Sequence, residues 1–230
     1  MDARPLQRRS TVDLLAAEVR REILDGALPA GARLRERELC DAYGVARHTL
    51  RAALRALSAE GLVRIEPHRG ATVAQLGPDE VCWLYEFRAA LEIEAAHLAL
   101  ERHGGRLPPP VHAALDALET ACAGPAPAWS AINEAHAALH GAIVGAAQSP
   151  RIAAAHAALS GEMRLFLMQL QPHVPAGRLA ADHVALVDGL EREGPAVLRR
   201  HLREAAGTLV GVRNRAGDDP AARPAVEEGR

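Results

Sequence analysis

The 230-residue chain contains no lysine; all 27 of its basic residues are arginine. Together with the alanine-rich composition this reads as a GC-rich coding bias, not as a functional signal. Aromatic residues are also scarce, at 3%. Alanine and leucine dominate instead, which favours helices over sheets. Only three cysteines occur, Cys40, Cys82 and Cys122, too far apart for a CxxC pair. That excludes a disulfide scaffold and a cysteine-ligated zinc site, and it fits free thiols in a reducing cytoplasm. The opening "MDARPLQRRSTVD" lacks the apolar segment of a signal peptide. No uninterrupted apolar run reaches the length of a membrane span, so no membrane partner is expected. No Gly-rich phosphate loop, GxSxG or HExxH occurs; position 137 is Ala where a zinc-protease helix carries its general base. The chain is therefore not expected to be an enzyme, a histidine-metal hydrolase being the alternative.

What is present is a soluble composition, 49% apolar with both charge signs. The charge is uneven. Residues 1–76 hold 13 Arg against 10 acidic residues, or +3; residues 77–230 hold 14 Arg against 19, or −5. A basic first part suggests a polyanionic partner for that part.

The hydrophobic period divides the chain in the same place. Val12, Leu15, Val19 and Ile23 recur at helical spacing in "TVDLLAAEVRREILD", with Ser10 or Thr11 as N-cap. A short helix over about 36–43 ends at Gly44, and a third runs from Arg47 to Glu60 with Leu50, Leu54 and Leu57 inward. "LVRI" (62–65) and "ATVAQL" (71–76), joined by "EPHRG", read as a hairpin. Three helices and a hairpin form a winged helix-turn-helix over residues 8–76. After the linker "LGPDE", helices are expected near 78–102, 109–123, 128–147, 150–170, 178–192 and 195–213, each break carrying Gly or Pro. The fold class is thus mainly α, a winged helix-turn-helix ahead of an all-α antiparallel six-helix bundle spanning 77–213. Residues 214–230 read as a disordered tail.

Arg47, His48, Thr49 and Arg51 cluster at the start of the third helix, the end that enters the major groove in this motif. Arginine can bond a guanine edge with two donors, and Thr or His can bond phosphate or base. Arg37 could reach the DNA backbone, and Arg69 and Gly70 at the wing tip the minor groove. The bland alternative is a solvated arginine surface; the order of elements favours DNA.

The segment Glu18–Val73, with "LPAGARLRERELCDAYGV", "RAALRALSAEGLV" and "RGATV", resembles the DNA-binding domain of the GntR family of bacterial transcription regulators. The resemblance implies operator half-sites bound by a homodimer, and it places Arg37, Arg47, Thr49, Arg51, Arg69 and Gly70 at DNA-contact positions. Ala46 stands where the family usually has Ser, and Ala52 where Glu is frequent.

"FRAALEIEAAHLAL" and "HGAIVGAAQSPRI" resemble the effector-binding domain of the FadR-like branch, in which an Arg and a Glu four apart recur, here Arg88 and Glu92. Many members of that branch hold a divalent metal with an Asp and a His four apart and two later His. The resemblance maps these onto His136, His140, His183 and His201, so His136 occupies the usual Asp position. Independently, His136 and His140 lie on the stripe Ile132, Leu139, Ile143; His183 on Leu179, Leu186, Leu190; His201 on Leu198, Leu202, Ala205. All four therefore face inward, where unpaired imidazoles are costly and one cation could satisfy them. Imidazole donors without a carboxylate favour zinc or nickel. Against this, His156 is also inward with no assigned role, and an inward His is often a core residue bonded to a carbonyl. Open coordination positions on such a metal could take the carboxylate of a small acid effector, with Arg88 or Arg164 clamping its other end. The alternative is a salt bridge, Arg88 with Glu92 or Glu86, and for Arg164 that alternative is favoured. A metal-free regulator with a purely structural bundle is the remaining reading.

Overall fold

The first helix, α1 (Thr11–Leu24), starts at Ser10 in a computed structural model of the chain, which describes residues 10–75, 77–170 and 174–217. Ser10 Oγ accepts from the Asp13 N–H at 3.2 Å, and Asp13 Oδ2 accepts from the Ser10 N–H at 2.9 Å. Two orphan donors of the first turn are thereby satisfied reciprocally. The chain then forms β1 (Arg33–Leu34), α2 (Glu36–Tyr43), α3 (Arg47–Ala59), β2 (Val63–Glu66) and β3 (Gly70–Val73). The strands are antiparallel in the order β1-β3-β2. The expected hairpin is present, but β1 is an addition. Two residues are too few to show a period in the sequence.

Gly44, at φ 62°, ends α2 in the left-handed conformation and reverses the chain into α3. Leu50, Leu54 and Leu57 of α3 are buried in one core with Leu15, Val19, Ile23, Val63 and Val73. Arg20 on α1 pairs with Glu60 past the end of α3, Nε to Oε2 at 2.7 Å and Nη2 to Oε1 at 2.5 Å. At the wing tip the Arg69 N–H donates to the Glu66 carbonyl at 3.2 Å. Pro67 fills the second position of that turn and His68 the third, at φ 64°. A positive φ at this position is a type II requirement normally met by Gly.

From Pro78 onward the described chain is helical: α4 (Pro78–Arg102), α5 (Pro109–Cys122), α6 (Trp129–Ala146), α7 (Pro150–Ala158), α8 (Ser160–Leu170), α9 (Ala176–Glu193) and α10 (Ala196–Gly217). α4 packs on α6 and α10, α5 on α6 and α9, and α9 on α10. Leu118, Ile132, Leu139, Ile143, Leu186, Leu190 and Leu198 are fully buried between them. Among the described residues no helix is long and apolar enough to cross a membrane.

The single helix expected over 150–170 is corrected to two, α7 and α8, parted at Leu159. Ser160 and Gly161 account for the break, because Gly/Ser pairs are where helices bend sharply. The chain forms two compact units, and residues 157–168 group with the first. There Leu165 is buried in the same core as Leu50 and Leu57. The second unit keeps α4, α5, α6, α7, α9 and α10. The last helix continues through Gly217, past the expected end near 213, so 214–217 are helical and not tail. The remainder of the expected tail, 218–230, lies outside the described residues, as do residues 8, 9 and 76.

α9 and α10 approach closely at Gly189, where an added Cβ would lie 2.8 Å from Val197 Cγ1. Valine there has no free space and no flexible neighbour to displace. Gly189→Val should lower stability by about 1–3 kcal/mol, the usual cost of overpacking. The check is the urea midpoint of the full chain; an unchanged midpoint would refute the tight crossing.

Candidate functional site

The first unit presents arginines on two surfaces. α3 is preceded by Ala46, which supplies no side-chain cap. Arg47 and His48 are exposed there and Thr49 is half-buried. Their orientation follows from the leucine face of α3, which fixes the opposite face outward. Arg51 Nε donates to Glu36 Oε1 at 2.8 Å, and Arg47 Nε lies 3.9 Å from Glu36 Oε2. Glu36, at the start of α2, thus gathers both arginines, and sequence reasoning missed it. Arg37 is exposed one residue later. On the wing, Arg69 is 82% exposed, with Nη1 3.2 Å from Glu66 Oε2, and Gly70 adopts φ 88° with open space where a Cβ would lie. Arg33 and Arg64 flank Thr72 in register, on the exposed face of the sheet. This pair was also missed, because Arg33 becomes a wing residue only through β1.

The second unit brings His136, His140, His183 and His201 together. Ring centroids of His136 lie 4.6 Å from His140 and 4.7 Å from His183; His201 lies 4.6 Å from His183 and 5.8 Å from His140. The nitrogens of His136, His140 and His183 offer one ligand atom each within 4.8 Å of one another. This cluster could hold a metal ion. His201 stands at its edge by its ring contacts. The stripes on α6, α9 and α10 converge because each helix buries its leucines toward the same core.

Hydrogen bonds fix two of the imidazoles. His183 Nδ1 lies 2.7 Å from the Leu179 carbonyl, which can only accept, so Nδ1 carries the proton. His140 Nδ1 lies 2.7 Å from Glu92 Oε2, an ionised carboxylate that can only accept, and donates to it; Arg88 Nη2 lies farther from the same nitrogen, at 3.4 Å. Both Nε2 atoms therefore present lone pairs, and they face each other at 3.3 Å. Two acceptors at that distance repel unless a proton or a cation lies between them. Protonation is disfavoured here. Burial, then His140, pushes His183 down to about 3. Burial also lowers His140, although Glu92 opposes it, and burial followed by the neighbouring histidines holds His136 and His201 well below the ordinary range. The separation of this pair suits a shared cation, since nitrogens about 2.0–2.1 Å from a tetrahedral zinc are about 3.3–3.4 Å apart, while the three-histidine set spans up to 4.8 Å.

Behind His140 sits a buried charge network. Arg88 and Glu92 are 3% and 1% exposed, with Arg88 Nε donating to Glu92 Oε1 at 2.8 Å. Arg88 also lies 4.8 Å from the Tyr85 ring centroid. His156 Nε2 lies 3.2 Å from Glu92 Oε1. Burial alone would raise the Glu92 carboxyl, but Arg88 and then His140 outweigh it and hold it well below the usual carboxylate range. The salt-bridge alternative for Arg88 thus appears with Glu92 and not Glu86. Arg164 lies on α8, in the segment that groups with the first unit. Glu92 and His156 were missed as site residues. The available signal was a charged pair on the buried stripe Val81, Leu84, Arg88, Glu92, Ala95, Ala99.

Residues 11–73 match the family described as "Bacterial regulatory proteins, gntR family", and residues 83–207 match the FCD domain. A relative from Paenarthrobacter nicotinovorans, the "Probable D-xylose utilization operon transcriptional repressor", is 30% identical over 88% of this chain and 89% of its own length. A solved GntR transcriptional regulator from Rhodococcus sp. RHA1 superposes with a TM-score of 0.66 at 25% identity, covering 87% of this chain and 97% of its own. McbR/YncC of E. coli shares the fold, with a TM-score of 0.64 at 20% identity over 91% of this chain and 99% of its own. The P. nicotinovorans and Rhodococcus proteins are named as transcriptional regulators, which removes the hydrolase alternative. Carrying both domains, the chain belongs to the gntR family of bacterial regulatory proteins and is a DNA-binding transcriptional regulator with an FCD domain, not an enzyme.

Proposed function

We propose that the chain is a cytoplasmic, homodimeric repressor whose operator affinity is set by a small carboxylic acid bound at a divalent metal. The DNA-binding part is residues 8–76 and the effector-binding and dimerising part residues 77–213. Repression is favoured by the name of the P. nicotinovorans relative. Arg47, His48, Thr49 and Arg51 read the major groove, Arg37 contacts the backbone, and Arg69 and Gly70 approach the minor groove. Glu36 holds the Arg51 guanidinium and so limits the rotamer freedom lost on binding.

The observation that carries the metal is the pair of facing Nε2 lone pairs, 3.3 Å apart with both Nδ1 protons committed. His136, His140, His183 and His201 would hold the ion. Four neutral imidazoles and no carboxylate favour zinc or nickel over manganese or magnesium. A bound ion would supply a Lewis-acidic anchor for the effector's carboxylate. Arg88 has guanidinium donors beyond the Nε committed to Glu92 and the Nη2 that lies 3.4 Å from His140 Nδ1, and these serve a second acidic group. Effector binding then favours one arrangement of the recognition helices over another.

Arg47→Ala should weaken operator binding by about 1–3 kcal/mol, with wild-type affinity falling steeply as salt rises. Gel-shift titration on the chain's own promoter region measures this, and full affinity in the variant would sink the groove assignment. Elemental analysis of purified protein should find about one zinc or nickel ion per chain, lost in His140→Ala. A metal-free protein that still binds effector would favour the purely structural bundle. The metal-free protein should also be acid-sensitive. Histidines of the unfolded chain protonate near 6.5, whereas His183 resists to about 3. Burial lowers His136, His140 and His201 as well, and Arg88 holds Glu92 ionised against its burial. The unfolded state therefore binds more protons, and stability is lost as pH falls from about 6.5 toward 3. Urea midpoints at two pH values test this; a midpoint that rises on acidification contradicts the neutral cluster.

A further inference from the structure

We propose that Glu92 is the positioning residue that makes His140 competent to bind metal, and that His156 holds Glu92 in place from α7. The proposal rests on the metal reading above. An imidazole donates a lone pair from Nε2 only if its proton is on Nδ1, and the partner at Nδ1 decides which nitrogen carries it. His183 receives that partner from its own helix, the Leu179 carbonyl four residues back. His140 receives it from another helix: Glu92 of α4, 48 residues away in sequence and 2.7 Å away in space. Without an acceptor there, nothing prevents the proton from moving to Nε2, where it would point at His183 and block ligation.

Both Glu92 oxygens are committed. Oε2 accepts from His140, while Oε1 accepts from Arg88 at 2.8 Å and faces His156 Nε2 at 3.2 Å. Arg88 belongs to the same helix as Glu92 and fixes the carboxylate only relative to α4. His156 ties it to α7 as well. With two separate donors on Oε1, the carboxylate cannot rotate without leaving one unpaired in a buried site. Oε2 stays aimed at His140, so α7 contributes to the site without supplying a ligand. The proposed ligand set has no carboxylate of its own, and Glu92 is the carboxylate that touches it, through His140. A hydrogen-bonded carboxylate also raises the basicity of the ligating imidazole.

The experiment pairs two readouts on the full chain. Imidazole ¹⁵N shifts of the metal-free protein report each tautomer, and competition with a chromophoric chelator reports zinc affinity. In the wild type His140 and His183 should both be protonated on Nδ1. In Glu92→Gln, zinc affinity should fall about 10–100-fold, and His140 should gain Nε2–H population while His183 is unchanged. His156→Ala should give a smaller loss in the same direction. If the Gln variant does not fold, the double variant Arg88→Met with Glu92→Leu removes both buried charges together and is read the same way. Wild-type zinc affinity with an unchanged His140 tautomer in the folded variant would overturn the proposal. If the wild type binds no zinc, the metal reading fails, and the His140 tautomer in wild type and variant still decides the role of Glu92.

Discussion

A carboxylate taken out of water must find donors or lose its charge, and Glu92 is 1% exposed. Much of the second unit is arranged around that constraint. Arg88 meets it from the preceding turn of α4, His140 from α6 and His156 from α7. Three helices are thereby locked in register around one polar point inside a leucine and alanine core. Buried ion pairs of this kind rarely add net stability, because desolvation offsets the attraction. What such a pair gives is a defined geometry, and here the geometry extends from the carboxylate through His140 to the facing nitrogen of His183.

The first unit solves a simpler problem. α3 has a leucine face and an arginine face, and burying the first exposes the second. The exposed arginines are partly organised: Glu36 collects Arg47 and Arg51, and Glu66 sits beside Arg69. Surface pairs of this type are worth little in stability. Their use lies in presenting guanidinium groups at defined places on a helix end and a turn. The wing turn accepts a left-handed His68 to complete the reversal between β2 and β3.

Most of the fold was legible because its signals are local. Helix periods, glycine stops and the hairpin pattern fix α1, α2, α3 and β2 within a residue or two and place β3, which ends at Val73 and not at 76, and the inward stripes of α6, α9 and α10 placed four histidines on buried faces. β1 was not legible, since a two-residue strand exists only by pairing with β3. Nor was the parting of α7 from α8 at Leu159. An alanine-rich run with one Ser-Gly step keeps its helical period on paper, and the burial of Leu165 among residues of the winged helix is what uses the break.

The candidate site divides along the same line. The sequence by itself determined the residue types and their faces: arginines opposite leucines on the recognition helix, and histidines among leucines in the bundle. That follows from periodicity, which needs only neighbours three or four positions away. Tertiary structure alone decided the partners. It joined Glu92 to His140 across 48 residues and His156 to Glu92 across 64, and it set two histidine lone pairs face to face. Hydrogen bonds between helices depend on how the helices pack, and a one-dimensional pattern records which face a residue occupies but not what lies opposite.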